Sequence, residues 1–102
     1  MAQTYEVAHV RAQGQDMIIV IVPPSFGTVG VAQQRQAVVR LQSRAIAAGM
    51  RGTVVAVWDA GEGRLGLQAP TRWHAFFKSV GLAHICASVN RTLTAEEVAP
   101  AR

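Results

Sequence analysis

The chain is expected to fold as a mixed α/β (α+β) domain, a two-layer open sandwich in which a mixed sheet of about five strands carries two helices. Three observations predict this. Two short runs, Met17–Val22 and Thr53–Asp59, are apolar at successive positions, as strands covered on both faces must be. Between them lies a long segment, about Val31 to Ala48, whose apolar residues recur at helical spacing. Glycine or proline breaks separate the periodic segments along the chain.

Taken in order, Thr4 to Arg11 alternates, with Tyr5, Val7, His9 and Arg11 on one face and Glu6, Ala8 and Val10 on the other; this reads as a strand with a mixed face. The polar, Gly-containing Ala12-Gln13-Gly14-Gln15-Asp16 segment reverses the chain into a hairpin. The partner strand, Met17–Val22, ends at Pro23-Pro24, because proline donates no ladder hydrogen bond and restricts the residue before it. Thr28 is the expected cap of the long helix and Gly49 its stop. At about 100° per residue, Val31, Val38, Val39, Leu41, Ala45 and Ile46 share one broad arc, with Gln33, Arg40 and Arg44 opposite. Arg35 and Gln42 lie inside that apolar arc, where they either snorkel past the core edge or meet a partner.

Thr53–Asp59 is expected to run parallel to Met17–Val22 after a right-handed crossover. A Gly-rich turn, Ala60-Gly61-Glu62-Gly63, leads to a short strand, Arg64–Gln68. Pro70 and Thr71 open a second helix with Trp73, Phe76, Phe77 and Val80 inward, His74 outward and Gly81 at its end. A fifth strand is expected over about Ala83 to Arg91, with Ile85, Ala87 and Val89 inward. The domain is taken as 1–93, with 94–102 a flexible C-terminal tail. The element order is ββαββαβ, ferredoxin-like in part, since the last six elements follow the order of those sandwiches. That fold gives Met17–Val22 neighbours on both sides, so either the first strand or the last must pair elsewhere.

A chain of 102 residues makes one domain with a real core. The single cysteine, Cys86, forms no intrachain disulfide, which fits a reducing compartment. The first residues carry no basic region followed by a long apolar run, and no apolar stretch nears the ~20 residues of a membrane helix; the expectation is a cytoplasmic protein without a membrane role. The net charge is +4, and nine of the ten basic residues are arginine. No acidic residue falls between Asp16 and Asp59, where Arg35, Arg40, Arg44 and Arg51 stand. Such a basic segment attracts acidic partners, phosphate or nucleic acid, here through the Arg40/Arg44 helix face.

Ligands of open α/β sheets gather beyond the carboxyl ends of parallel strands. The candidate ligand-binding residues are therefore Ser25, Thr28, Trp58, Asp59 and Arg64, on the loops that follow the two apolar strands. There a helix start could hold an anion, Trp58 could stack, and Asp59 could accept hydrogen bonds. The bland alternative makes Thr28 a cap, Asp59 a turn former and Trp58 core. His84 and Cys86 alternate on the expected fifth strand and could share a metal, but two ligands without a second pair fall short of a zinc site, and neither metal nor cofactor is expected. Ser25, Ser88 and Cys86 sit in no nucleophile signature, and no catalytic residue is assigned.

If both helices cover one sheet face, the other keeps an apolar strip, which a second copy would bury across a twofold axis. The expected function is a noncatalytic binding or assembly module, a homo-oligomer through that strip. The rival readings are a small-molecule enzyme or ligand-binding protein using the loop crevice, and a nucleic-acid binder.

Overall fold

The computed structural model describes residues 2–12 and 14–96. Strands β1 (Ala2–Ala12) and β2 (Gln15–Ile21) form the expected hairpin, joined Ala12 to Gln15; Gln13, placed in its turn, lies outside the described residues, as do Met1 and residues 97–102 of the expected tail. A 3-10 turn, Pro24–Thr28, leads to helix α1 (Val31–Ala47), followed by β3 (Thr53–Asp59) and β4 (Leu65–Gln68). A second 3-10 turn, Thr71–Trp73, runs into α2 (His74–Val80), then α3 (Leu82–Ala87) and β5 (Arg91–Glu96). The mixed five-stranded open sheet has the order β4-β3-β2-β1-β5, with only β2 and β3 parallel.

The competition for the edge of β2 is settled in favour of the hairpin. β1 pairs with β2 along its length, and β5 pairs with β1 instead. β2 and β3 are direct neighbours across the α1 crossover, whereas a ferredoxin-like sheet places a strand between them; only the order of elements is shared with that fold.

The helices lie on opposite faces, so the molecule has three layers and not two. One core joins Tyr5, Val7, Ile18, Val20, Val54, Ala56 and Leu93 to Ala37, Leu41 and Ala45 of α1. The other joins Ala8, Met17, Ile19, Val55 and Val57 to Trp73, Phe77 and Ile85 of the second helical region. The apolar strip expected to need a second copy is therefore covered within the chain, with Ile19 at 3% and Val55 and Val57 at 0% exposure. That route to a dimer is closed.

Two local expectations also differ. The segment read as a fifth strand is helix α3, and the strand begins later, at Arg91. Leu82 and Ile85, one helical turn apart, are the residues of α3 that pack inward, and Ile85 also belongs to the Ile85/Ala87/Val89 alternation that suggests a strand. The β-branched alternation Thr92-Leu93-Thr94-Ala95 supplies the strand, with Leu93 and Ala95 buried; Thr94 to Glu96 thus belong to β5 and not to a tail. On α1, Leu41 and Ala45 are buried with Gln34 and Ala37, but Val31, Val39 and Ile46 of the expected arc stay 57%, 65% and 63% exposed.

Because each sheet face carries its own core, truncation on either should be costly. Leu41→Ala and Phe77→Ala are each expected to lower the unfolding free energy by about 2–5 kcal/mol, as measured by urea denaturation. A two-layer sandwich would feel the first and tolerate the second.

Candidate functional site

The parallel pairing of β2 with β3 brings the loops after both strands together. Thr28, Trp58 and Asp59, with Gly27 and Gly61, border a cavity of about 390 Å³ at the carboxyl ends of the two strands. Ser25 and Arg64 do not line it.

Trp58 forms the floor of this crevice and is only 8% exposed. Its ring meets Phe26 edge-on at 5.1 Å between centroids. The indole nitrogen side is wedged between two glycines: a Cβ on Gly27 would come within 2.6 Å of Nε1, and one on Gly66 would overlap the ring. Gly66 lies directly across the β3–β4 ladder from Trp58. The two glycines are thus the seats of the tryptophan, which belongs to the α1-side core.

The polar groups around the crevice hold its own backbone. Asp59 Oδ1 accepts from Gly61 N–H at 2.8 Å and Gly63 N–H at 3.1 Å, closing a turn in which Gly61, Glu62 and Gly63 all have positive φ. Arg64 Nε donates to Gly61 O at 3.3 Å. Thr28 Oγ1 donates to Ser25 O at 2.7 Å. Thr28 does not cap α1; the N-cap is Gly30, without a side-chain bond, because the 3-10 turn occupies Pro24–Thr28 and delays the helix.

Gln34, not singled out in the sequence, is the buried polar side chain among the described residues. Its Nε2 donates to Phe26 O at 3.1 Å and Val29 O at 3.0 Å, and its Oε1 accepts from Gln68 Nε2 at 3.0 Å. This amide pins the 3-10 turn and β4 to α1. A glutamine inside a helix carries no sequence signal for such a role.

The larger concavity lies elsewhere. β4 pairs with β3 only from Ala56 onward, so the first residues of β3 lack a strand on that side. Gln42 fills the gap: Val54 N–H donates to its Oε1 at 2.8 Å and its Nε2 donates to Gly52 O at 3.0 Å. Beside it, α1 and the Gln68–Thr71 segment enclose a groove of about 570 Å³, lined on the helix by Arg35, Val38, Val39, Gln42 and Ser43. Its volume, with two valines set among polar residues on the helix wall, is that of a binding groove. The sequence signal was there in Arg35 and Gln42, the two polar residues within the apolar arc.

The remaining chemistry-bearing residues do not converge. His84 and Cys86 sit on helix α3, where two residues are separated by about 200° around the axis, so the shared strand face expected of them does not exist. Among the described residues no group of three or more His, Cys, Asp and Glu side chains is placed to hold a metal ion. His74, expected outward, is half-buried, with Nε2 2.9 Å from Ala69 O. Of the basic pair on α1, both residues are exposed, and Arg44 Nε donates to Thr94 O of β5 at 3.2 Å. No helix among the described residues is long and apolar enough to cross a membrane. Comparison with protein-family models, with curated proteins and with solved structures found no match.

Two outcomes follow from the crevice. Gly66→Ala should lower stability by about 1–3 kcal/mol through overpacking and alter the intrinsic fluorescence of the folded state as the Trp58 indole is displaced. Asp59→Ala, which leaves two turn N–H groups without their acceptor, should cost about 1–2 kcal/mol in urea titration while Asp59→Asn keeps most of it.

Proposed function

We propose that the chain is a noncatalytic binding module whose partner seats on the flank of α1, over the groove beside the open end of β3. The observation that carries this reading is the exposure of Val39, at 65%, on the wall of a groove of about 570 Å³. Apolar side chains left in water beside a concave surface are a usual mark of a recognition site. Arg35 at the rim supplies a cation, and Gln42 an amide already fixed by two backbone bonds, so an apolar group flanked by an acceptor or anion is the chemistry that fits.

The noncatalytic part rests on how the reactive side chains are used. His9 Nε2 lies 2.8 Å from Arg51 O, His74 is tied to Ala69 O, and Ser88 Oγ donates to His84 O at 2.9 Å. These are bonds that hold backbone, where catalysis would ask for a nucleophile on a base. The exposed, single Cys86 suits a reducing compartment such as the cytoplasm. A second reading keeps a small-molecule ligand in the crevice of Thr28, Trp58 and Asp59, favoured by the 390 Å³ cavity there.

Amide chemical-shift mapping with a set of fragment-sized apolar and carboxylate probes separates the two readings. Shifts are expected to cluster at residues 35–43, 53–54 and 68–71. Shifts confined to Thr28 and residues 58–61 would replace the groove with the crevice, and an absence of localised shifts would remove both.

A further inference from the structure

We infer that the occupant of the α1 flank is a second copy of the chain, packed helix against helix in antiparallel sense about a twofold axis passing between Val38 and Val39. The inference rests on the binding reading above and names its partner.

The argument begins from spacing. Val31, Arg35, Val38, Val39, Gln42 and Ile46 fall within an arc of about 100° on the helix, beside the buried face of Leu41 and Ala45. Val31, Val39 and Ile46 are the large hydrophobic residues left exposed among the described residues, and all three are on this one stripe. An isologous contact must be complementary to itself. With the axis between Val38 and Val39, Val31 meets Ile46 of the partner subunit, Val38 meets the partner's Val39, and Arg35 meets the partner's Gln42. Every apolar residue of the stripe finds an apolar one, and the cation finds an amide.

Neighbouring registers lose this match. Moving the axis one turn toward the start of α1 sets Arg35 against the partner's Arg35, a like-charge contact. Moving it one turn toward the end sets Gln42 against the partner's Gln42 and leaves Val31 past the end of the opposing helix. The hydrogen-bond capacity also suits the chosen register. Gln42 Oε1 accepts one bond, from Val54 N–H, and an amide oxygen has room for two, so it can take a donor from Arg35 of the other copy. Arg40 stands about 150° from the centre of the stripe, which keeps its charge off the seam.

The contact is small. A helix of 17 residues is about 25 Å long, and one helix face of that length falls short of the ~800 Å² per partner of a standard stable interface. The dimer is therefore expected to be reversible, filling between about 10 µM and about 1 mM.

The test uses the full chain carrying Cys86→Ser. Sedimentation equilibrium across that range should show the mass rising toward twice the monomer, and Val39→Glu, at a position exposed enough not to disturb folding, should raise the dissociation constant more than about tenfold. Single-cysteine variants Val31→Cys and Ile46→Cys, treated with a short bismaleimide, should cross-link severalfold better when mixed than either does alone. A chain monomeric throughout, a dimer indifferent to Val39→Glu, or a Val31→Cys variant that cross-links best with itself would each overturn the inference. A monomer whose α1 groove still collects the probe shifts would remove the second copy and leave the binding reading standing; shifts only at the crevice would remove the binding reading itself.

Discussion

Everything in this structure is arranged around the parallel pair β2 and β3, which is apolar on both faces. Such a pair tolerates water on neither side. The crossover that connects its strands supplies α1 to one face as a matter of topology, since a right-handed connection of this length returns over the sheet. The other face has to be covered by what remains, and the chain after β4 does it. From β4 at one edge to β5 at the other is four strand spacings, about 19 Å. Helices α2 and α3, of seven and six residues, together span about 20 Å, and Gly81, at φ 82° and ψ 159°, lets the second depart from the first. The segment that covers the second face is thus also the one that carries the chain from edge to edge.

That arrangement fixes how α1 uses its surface. Its buried face is narrow and made mostly of small residues, Ala37 and Ala45 around Leu41, with Gln34 at its start. Small residues let the helix lie close on the sheet, and a close helix brings its flanking polar side chains within reach of strand backbone. Gln34, Gln42 and Arg44 each bond backbone carbonyls outside the helix, Gln42 at Gly52 just before β3 and Arg44 at Thr94 on the edge strand β5. Edge groups that would otherwise invite another strand are in part occupied this way. The cost is that Val31, Val39 and Ile46, which share an arc with the core residues, are turned past the sheet margin into solvent.

Legibility follows the same physics. Strands β1 to β4, the α1 crossover and the turn into α2 could be read because each rests on a local signal, an apolar run or a glycine or proline break. Two things could not. The Leu82–Ala87 segment satisfies helical and alternating periods at once, and only its place between α2 and the edge strand decides the matter. Which face a helix covers is a property of topology and not of the helix, so the sequence of α2 carries nothing that tells a two-layer from a three-layer molecule. For the crevice, the meeting of Thr28, Trp58 and Asp59 followed from the parallel pair alone. That Asp59 and Thr28 spend their hydrogen bonds on neighbouring backbone, and that Gly27 and Gly66 are shaped to Trp58, is packing detail no spacing reveals.

The same geometry bears on where a ligand would sit. The rule that places ligands at the carboxyl ends of strands describes sheets in which adjacent crossovers leave in opposite directions and open a cleft between their loops. This sheet has one parallel pair, hence one such crossover. The turn between β3 and β4 and the Pro24–Thr28 segment meet over the strand ends, and Trp58, held on both sides by glycine, narrows the space between them to a cavity of about 390 Å³. β4 stops at Gln68, level with Ala56 in the middle of β3, and so falls short of the start of β3. It is there, between the Gln68–Thr71 segment and the valines of α1, that the covering of the parallel pair is incomplete and the chain leaves both concavity and apolar surface exposed.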